Sequence, residues 1–181
     1  MMDIRPDHPL RRLFAGLIED TFFTQVGMCD PLLTDYLSDL LVTYTHVDRL
    51  HVIRNAVGKR IDRIASMLTV MAEGALPEPA DRDRLMYRHI GDFTLFWAGV
   101  YPEQLERALP ESTDTLLTYV SQGKRSYAMA SELGSENDRP PAKLFRQMSD
   151  EFEQCMYGLG LVRRGLESCT DLGDKRGELI L

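Results

Sequence analysis

The chain has 181 residues and a formal net charge of −7, with 44% hydrophobic and 27% charged residues. That composition suits one globular core of ordinary size and excludes general disorder. The acidic balance argues against nucleic acid as a partner, because neutralising phosphates with a basic surface supplies most of such affinity.

The first nine residues carry charges and two prolines, not the apolar centre of a secretory signal. No apolar run approaches the length of a membrane span. Cys29, Cys155 and Cys169 make no Cys-x-x-Cys pair, so reduced thiols and a cytoplasmic setting are expected.

Strand signals are almost absent, and helical ones recur without any repeat of sequence. A first helix is expected from Pro9, with Leu10, Leu13, Phe14, Leu17, Ile18 and Phe22 on one face; Val26-Gly27-Met28 ends it. A second starts at Asp30-Pro31, where the carboxylate can accept from first-turn N–H groups and proline loses no helical bond. Leu33, Tyr36, Leu37, Leu40, Leu41 and Tyr44 form its stripe. Residues 47–58 are ambiguous, and Ile61 to Met71 reads as a third helix ended by Gly74, Pro77 and Pro79.

A fourth helix is expected over about Ala80 to Val100, with Leu85, Met86, His89, Ile90, Phe93, Phe96, Trp97 and Val100 on one face. The other side carries Gly91, Thr94, Leu95 and Ala98 where a surface helix would place charges. From Gly91 to Gly99 this helix is apolar all round, so it belongs in the middle of the fold or in an oligomer interface. Glycine costs about 1 kcal/mol in a helix interior, so Gly91 and Gly99 imply the close approach of a neighbour or a ligand. A fifth helix follows over about Thr113 to Leu133, with Leu116, Val120, Gly123, Tyr127 and Ala130 on one face. A sixth begins at Pro141 and buries Leu144, Phe145, Met148, Phe152, Cys155, Met156 and Leu159. The expected fold is all-α, a single-domain bundle of about six mostly antiparallel helices around a central fourth one. The domain covers residues 1–167, with a flexible tail over 168–181.

Arg88-His89-Ile90-Gly91-Asp92-Phe93-Thr94-Leu95-Phe96, followed by Gly99 and Pro102-Glu103, resembles a motif of an uncharacterised family of bacterial all-helical proteins. The spacing Tyr119, Gly123, Tyr127, Ala130 is similar to a second motif of that family, with Thr118 in place of the first of a tyrosine pair. The resemblance implies a helical fold and brings no activity or catalytic residue with it.

His89 and Asp92, three residues apart, could form a ligand or general base with its orienting carboxylate. The plainer alternative is a core histidine bonded to Asp92, with Arg88 paired to Asp92 one turn away. His89, Asp92, Phe93 and Trp97 are therefore the candidate ligand site. His89 among aromatic rings would also suit an axial haem ligand, although such stripes are more often core. The Asp48–His51 pair, with His46 nearby, lacks the Glu-x-x-His repeats of a helical di-iron site. Arg49, Arg54, Lys59, Arg60 and Arg63, against Asp62 alone, form a basic window that could meet an anion or an acidic partner. A solvated helix face is the simpler account of it.

No hydrolase elbow, zinc motif, phosphate loop or complete dinucleotide fingerprint occurs. No cofactor, metal or catalytic residue is expected, and the enzyme question leans towards no. The leading expectation is a homodimeric interaction or regulatory protein, resting on the helix that is apolar all round. The alternative is a small-molecule or metal-binding protein with its pocket at His89 and Asp92.

Overall fold

The computed structural model describes residues 9–45, 80–103 and 116–177. These residues form six α-helices and no strand: α1 (Pro9–Thr21), α2 (Pro31–Thr45), α3 (Ala80–Val100), α4 (Leu116–Glu132), α5 (Ala142–Asp150) and α6 (Phe152–Gly177). α3 is the helix expected fourth in the sequence. The stretch expected as the third helix lies outside the described residues.

Local chemistry sets the helix ends. Pro9 opens α1, and a π-helical turn over Phe22–Val26 closes it. Gly27 then adopts φ 82°, a left-handed conformation that glycine takes without a Cβ clash. Asp30 caps α2 as its sequence predicts: Oδ1 accepts from Leu32 N at 2.9 Å and from Leu33 N at 3.4 Å. Thr34, Ser38 and Thr94 are buried because each hydroxyl donates to a carbonyl of its own preceding turn.

One core draws on all six helices, from Phe14, Ile18 and Phe22 through Leu37, Ile90 and Tyr127 to Phe145, Phe152 and Leu159. α3 packs against α2, α4 and α6, most extensively against α4. Its expected lack of a wet side holds: Leu95 is 0% exposed and Ala98 3%. Arg163 of α6 ties down its C-terminal end, donating to the Val100 carbonyl at 2.7 Å and pairing with Glu103.

Several expected positions differ. Leu85 lies on the expected α3 stripe yet is 57% exposed, whereas its neighbour Met86 is 6% exposed. Leu10 and Leu13 are also exposed, leaving Phe14, Ile18 and Phe22 to carry the buried side of α1. Tyr119, rather than Val120, takes the buried position on α4. The helix expected from Pro141 is divided at Glu151, where φ −107° and ψ 25° interrupt it. The stripe survives that break, since Phe152 follows Met148 by four residues. α6 stays helical to Gly177, into the segment read as a tail.

The expected close approaches occur at glycine. A Cβ on Gly91 would lie 2.7 Å from the Tyr127 ring, and one on Gly99 would lie 3.1 Å from the Met156 carbonyl oxygen. At Gly123 a Cβ would be driven into the Phe152 ring and would sit 2.5 Å from Thr94 Oγ1. Overpacking costs about 1–3 kcal/mol, and alanine regains about 1 kcal/mol of helix propensity. Gly123→Ala is therefore expected to lose up to about 2 kcal/mol in urea unfolding. A variant more stable than the wild type would disprove this tight seam between α3, α4 and α6.

Candidate functional site

Arg88 and Asp92 lie one turn apart on α3, which places both on one face. Tyr36 from α2 and Tyr127 from α4 meet them there. Both tyrosine hydroxyls donate to Asp92 Oδ1, at 2.6 Å and 2.8 Å. Arg88 Nε donates to the Tyr36 hydroxyl at 2.9 Å and stands 3.6 Å from Asp92 Oδ2. The guanidinium also lies over the Tyr36 ring, 5.2 Å from its centroid. Three helices are thus joined through one carboxylate whose side chain is only 13% exposed.

Burial pushes the Asp92 carboxyl up, while Arg88 and the two hydroxyl donors hold it against that rise. Burial alone would lower the Arg88 pKa, but the Tyr36 oxygen and the Asp92 charge more than offset it, so the guanidinium stays ionised. Burial likewise holds both tyrosines well above their ordinary range, as neutral donors. Both tyrosine hydroxyls, the Asp92 carboxylate and the Arg88 Nε thus meet in one cluster.

His89 is the next residue after Arg88, so it leaves α3 about 100° further round. There it meets Tyr44 near the C-terminal end of α2. The Tyr44 ring lies near-parallel to both His89 and Phe96, at 6.4 Å and 4.9 Å between centroids. Trp97 and Tyr101 extend this aromatic wall beyond Phe96. Three polar atoms on it are buried without a hydrogen-bond partner: the Tyr44 hydroxyl, His89 Nε2 and Trp97 Nε1. Burial, reinforced by the Arg88 charge, lowers the His89 pKa to about 4. The imidazole is therefore neutral at physiological pH and can donate or accept, whereas the indole N–H can only donate.

The candidate ligand residues divide between these two clusters. Asp92 turns to Arg88, Tyr36 and Tyr127 and leaves His89 Nε2 alone, so the expected His89–Asp92 pair does not form. The expected Arg88–Asp92 pair does. The reason is reach: two tyrosines from neighbouring helices satisfy Asp92 on a face the imidazole does not share. Phe93 is buried against Tyr119 and Trp97. Sequence reasoning did not single out Tyr36, Tyr44 or Tyr127 as site residues. Each sat in a helical stripe, and the only signal was a hydroxyl at a core position with no local partner.

The basic window of Arg49, Arg54, Lys59, Arg60 and Arg63 lies outside the described residues, as do His46, Asp48 and His51. Cys155 is fully buried, and that burial pushes its thiol up to about 12, as expected of packing rather than a nucleophile. Cys29 is exposed. Among the described residues no three of His, Cys, Asp and Glu gather closely enough to hold a metal ion, and no helix is long and apolar enough to cross a membrane. A surface hollow of about 590 Å³ lies over Tyr36, rimmed by Asp35, Asp39, Glu136 and Asp138. Its carboxylates are largely engaged: Arg11 pairs with Asp35 and Asp39, and Arg84 with Asp138.

No family model matches this chain, and neither does any curated protein or solved structure.

Proposed function

We propose that this is a non-catalytic binding protein that seats a small organic molecule against Tyr44, His89 and Trp97, where α2 meets α3. The observation that carries this reading is the concentration of three unpartnered, buried polar atoms on one aromatic wall. A buried donor or acceptor without a partner costs about 1–3 kcal/mol, and folded proteins leave few of them. Apolar walls with a few converging polar groups are the usual make-up of a small-molecule site. Asp92 has the opposite character: its satisfied network is an internal brace. His89 Nε2 engages no nucleophile, which favours binding over turnover. Leu95 and Ala98 find their packing inside one chain, so the all-round apolar helix lends no support to a homodimer.

Tyr44→Phe tests the reading cleanly, because it deletes the lone hydroxyl and keeps the ring. Ligand-free Tyr44→Phe is expected to be about 1 kcal/mol more stable than the wild type and to give smaller thermal shifts with any compound that stabilises the wild type. If the ligand-free variant is instead less stable, the hydroxyl already has a partner and the seat does not exist.

A further inference from the structure

The polar atoms on the wall also define what would satisfy them, and this step rests on the seat proposed above. We propose that the seat selects an uncharged, flat aromatic molecule bearing carbonyl acceptors. The indole N–H of Trp97 can only donate, and the Tyr44 hydroxyl is free to do so. At least two donors therefore need acceptors, and a neutral imidazole can supply a third donor or accept. Tyr44 and Phe96 are buried and stack on each other, whereas Trp97 and Tyr101, 5.9 Å apart between centroids, are only partly buried and offer the ring surface on which a flat ligand would stack.

Charge decides against the ionic alternatives. Among the described residues the guanidinium groups beside the wall are engaged: Arg88 serves Asp92 and Tyr36, and Arg163, 5.0 Å from the Tyr101 ring centroid, serves the Val100 carbonyl, Glu103 and Glu167. A carboxylate ligand would therefore give up its hydration without gaining a free countercharge. A cationic ligand would meet donors, and Asp92, whose charge acts on Tyr44, is held by two hydroxyls and an arginine. A neutral carbonyl compound loses least water and meets the donors as they stand.

The test uses three probes of similar shape: 2,3-dimethyl-1,4-naphthoquinone, 2,3-dimethylnaphthalene and 2-naphthoate. The methyl groups block addition of the exposed Cys29 thiol to the quinone ring. Trp97 is the chain's only tryptophan, so its emission reports on the site directly. The quinone is expected to quench it saturably and to raise the melting temperature. The hydrocarbon and the carboxylate should each bind at least about tenfold more weakly, the loss of roughly one buried hydrogen bond. Tyr44→Phe should weaken quinone binding by a similar factor and leave hydrocarbon binding unchanged. Equal or tighter binding of 2-naphthoate overturns the ligand class and leaves the seat standing. Binding of none of the three also overturns the class, and the seat itself then stands or falls on the ligand-free stability of Tyr44→Phe.

Discussion

Asp92→Ala is expected to lower the unfolding free energy by about 3–5 kcal/mol, the penalty typical of removing one partner from a buried ion pair. The variant removes the Asp92 charge from beside the Arg88 guanidinium and takes away the acceptor of the Tyr36 and Tyr127 hydroxyls, both bonded to Oδ1. Tyr36→Phe and Tyr127→Phe should each lose about 1.5–3 kcal/mol, as hydrogen bonds to a charged group do. Their effects should not add to that of Asp92→Ala, because all three changes remove parts of one network. Set against a total stability of about 5–15 kcal/mol, the alanine variant will unfold at a much lower urea concentration. A loss below about 1 kcal/mol would show that the carboxylate is solvated rather than bridging three helices. The three tyrosines provide an internal contrast, since Tyr44→Phe is expected to move stability in the opposite direction. Loss of a ring hydroxyl destabilises where the oxygen is bonded and stabilises where it is not.

What could be read from the sequence depended on the range of the interaction. The α2 cap at Asp30 and Pro31 and the all-round burial of Leu95 and Ala98 both follow from neighbours in sequence, and both appear in the structure. The Arg88–Asp92 pair, one turn apart, was legible for the same reason. The partners that decide the character of the site were not. Tyr36 and Tyr127 stand 56 and 35 residues from Asp92, and periodicity does not say which stripe meets which. Reading His89 and Asp92 as a pair failed on this point: spacing showed that they could touch, and only packing showed that better donors reached Asp92 first. Gly91 and Gly99 announced a close approach, but which neighbour approached depended on how α4 and α6 dock. A hydroxyl at a stripe position, such as Tyr44, is equally compatible with a bonded brace or an orphan, and no local pattern separates them.

Acidification from neutral pH to pH 4 is expected to cost about 3 kcal/mol through His89 alone, at about 1.4 kcal/mol per unit of pKa difference. The folded imidazole, held near 4 by burial and the Arg88 charge, is a weaker base than in the unfolded chain, where the ordinary value is near 6.5. As pH falls the unfolded chain takes the proton first. The stability this group confers is therefore complete above about pH 6.5 and is lost as pH falls towards 4. Asp92 acts in the opposite sense, since burial raises its pKa and its share of stability falls as pH rises through the folded value. The wild-type curve thus mixes the two, and the histidine must be isolated by comparison with His89→Leu. That variant should be more stable than the wild type at pH 7, because it removes an unpartnered buried nitrogen. Its advantage should widen by about 3 kcal/mol at pH 4, read as the difference between urea unfolding curves at the two pH values. A constant gap would mean that His89 protonates as readily in the folded protein as in the unfolded chain. Such a histidine would be hydrated, and the dry aromatic wall on which the binding proposal depends would be lost with it.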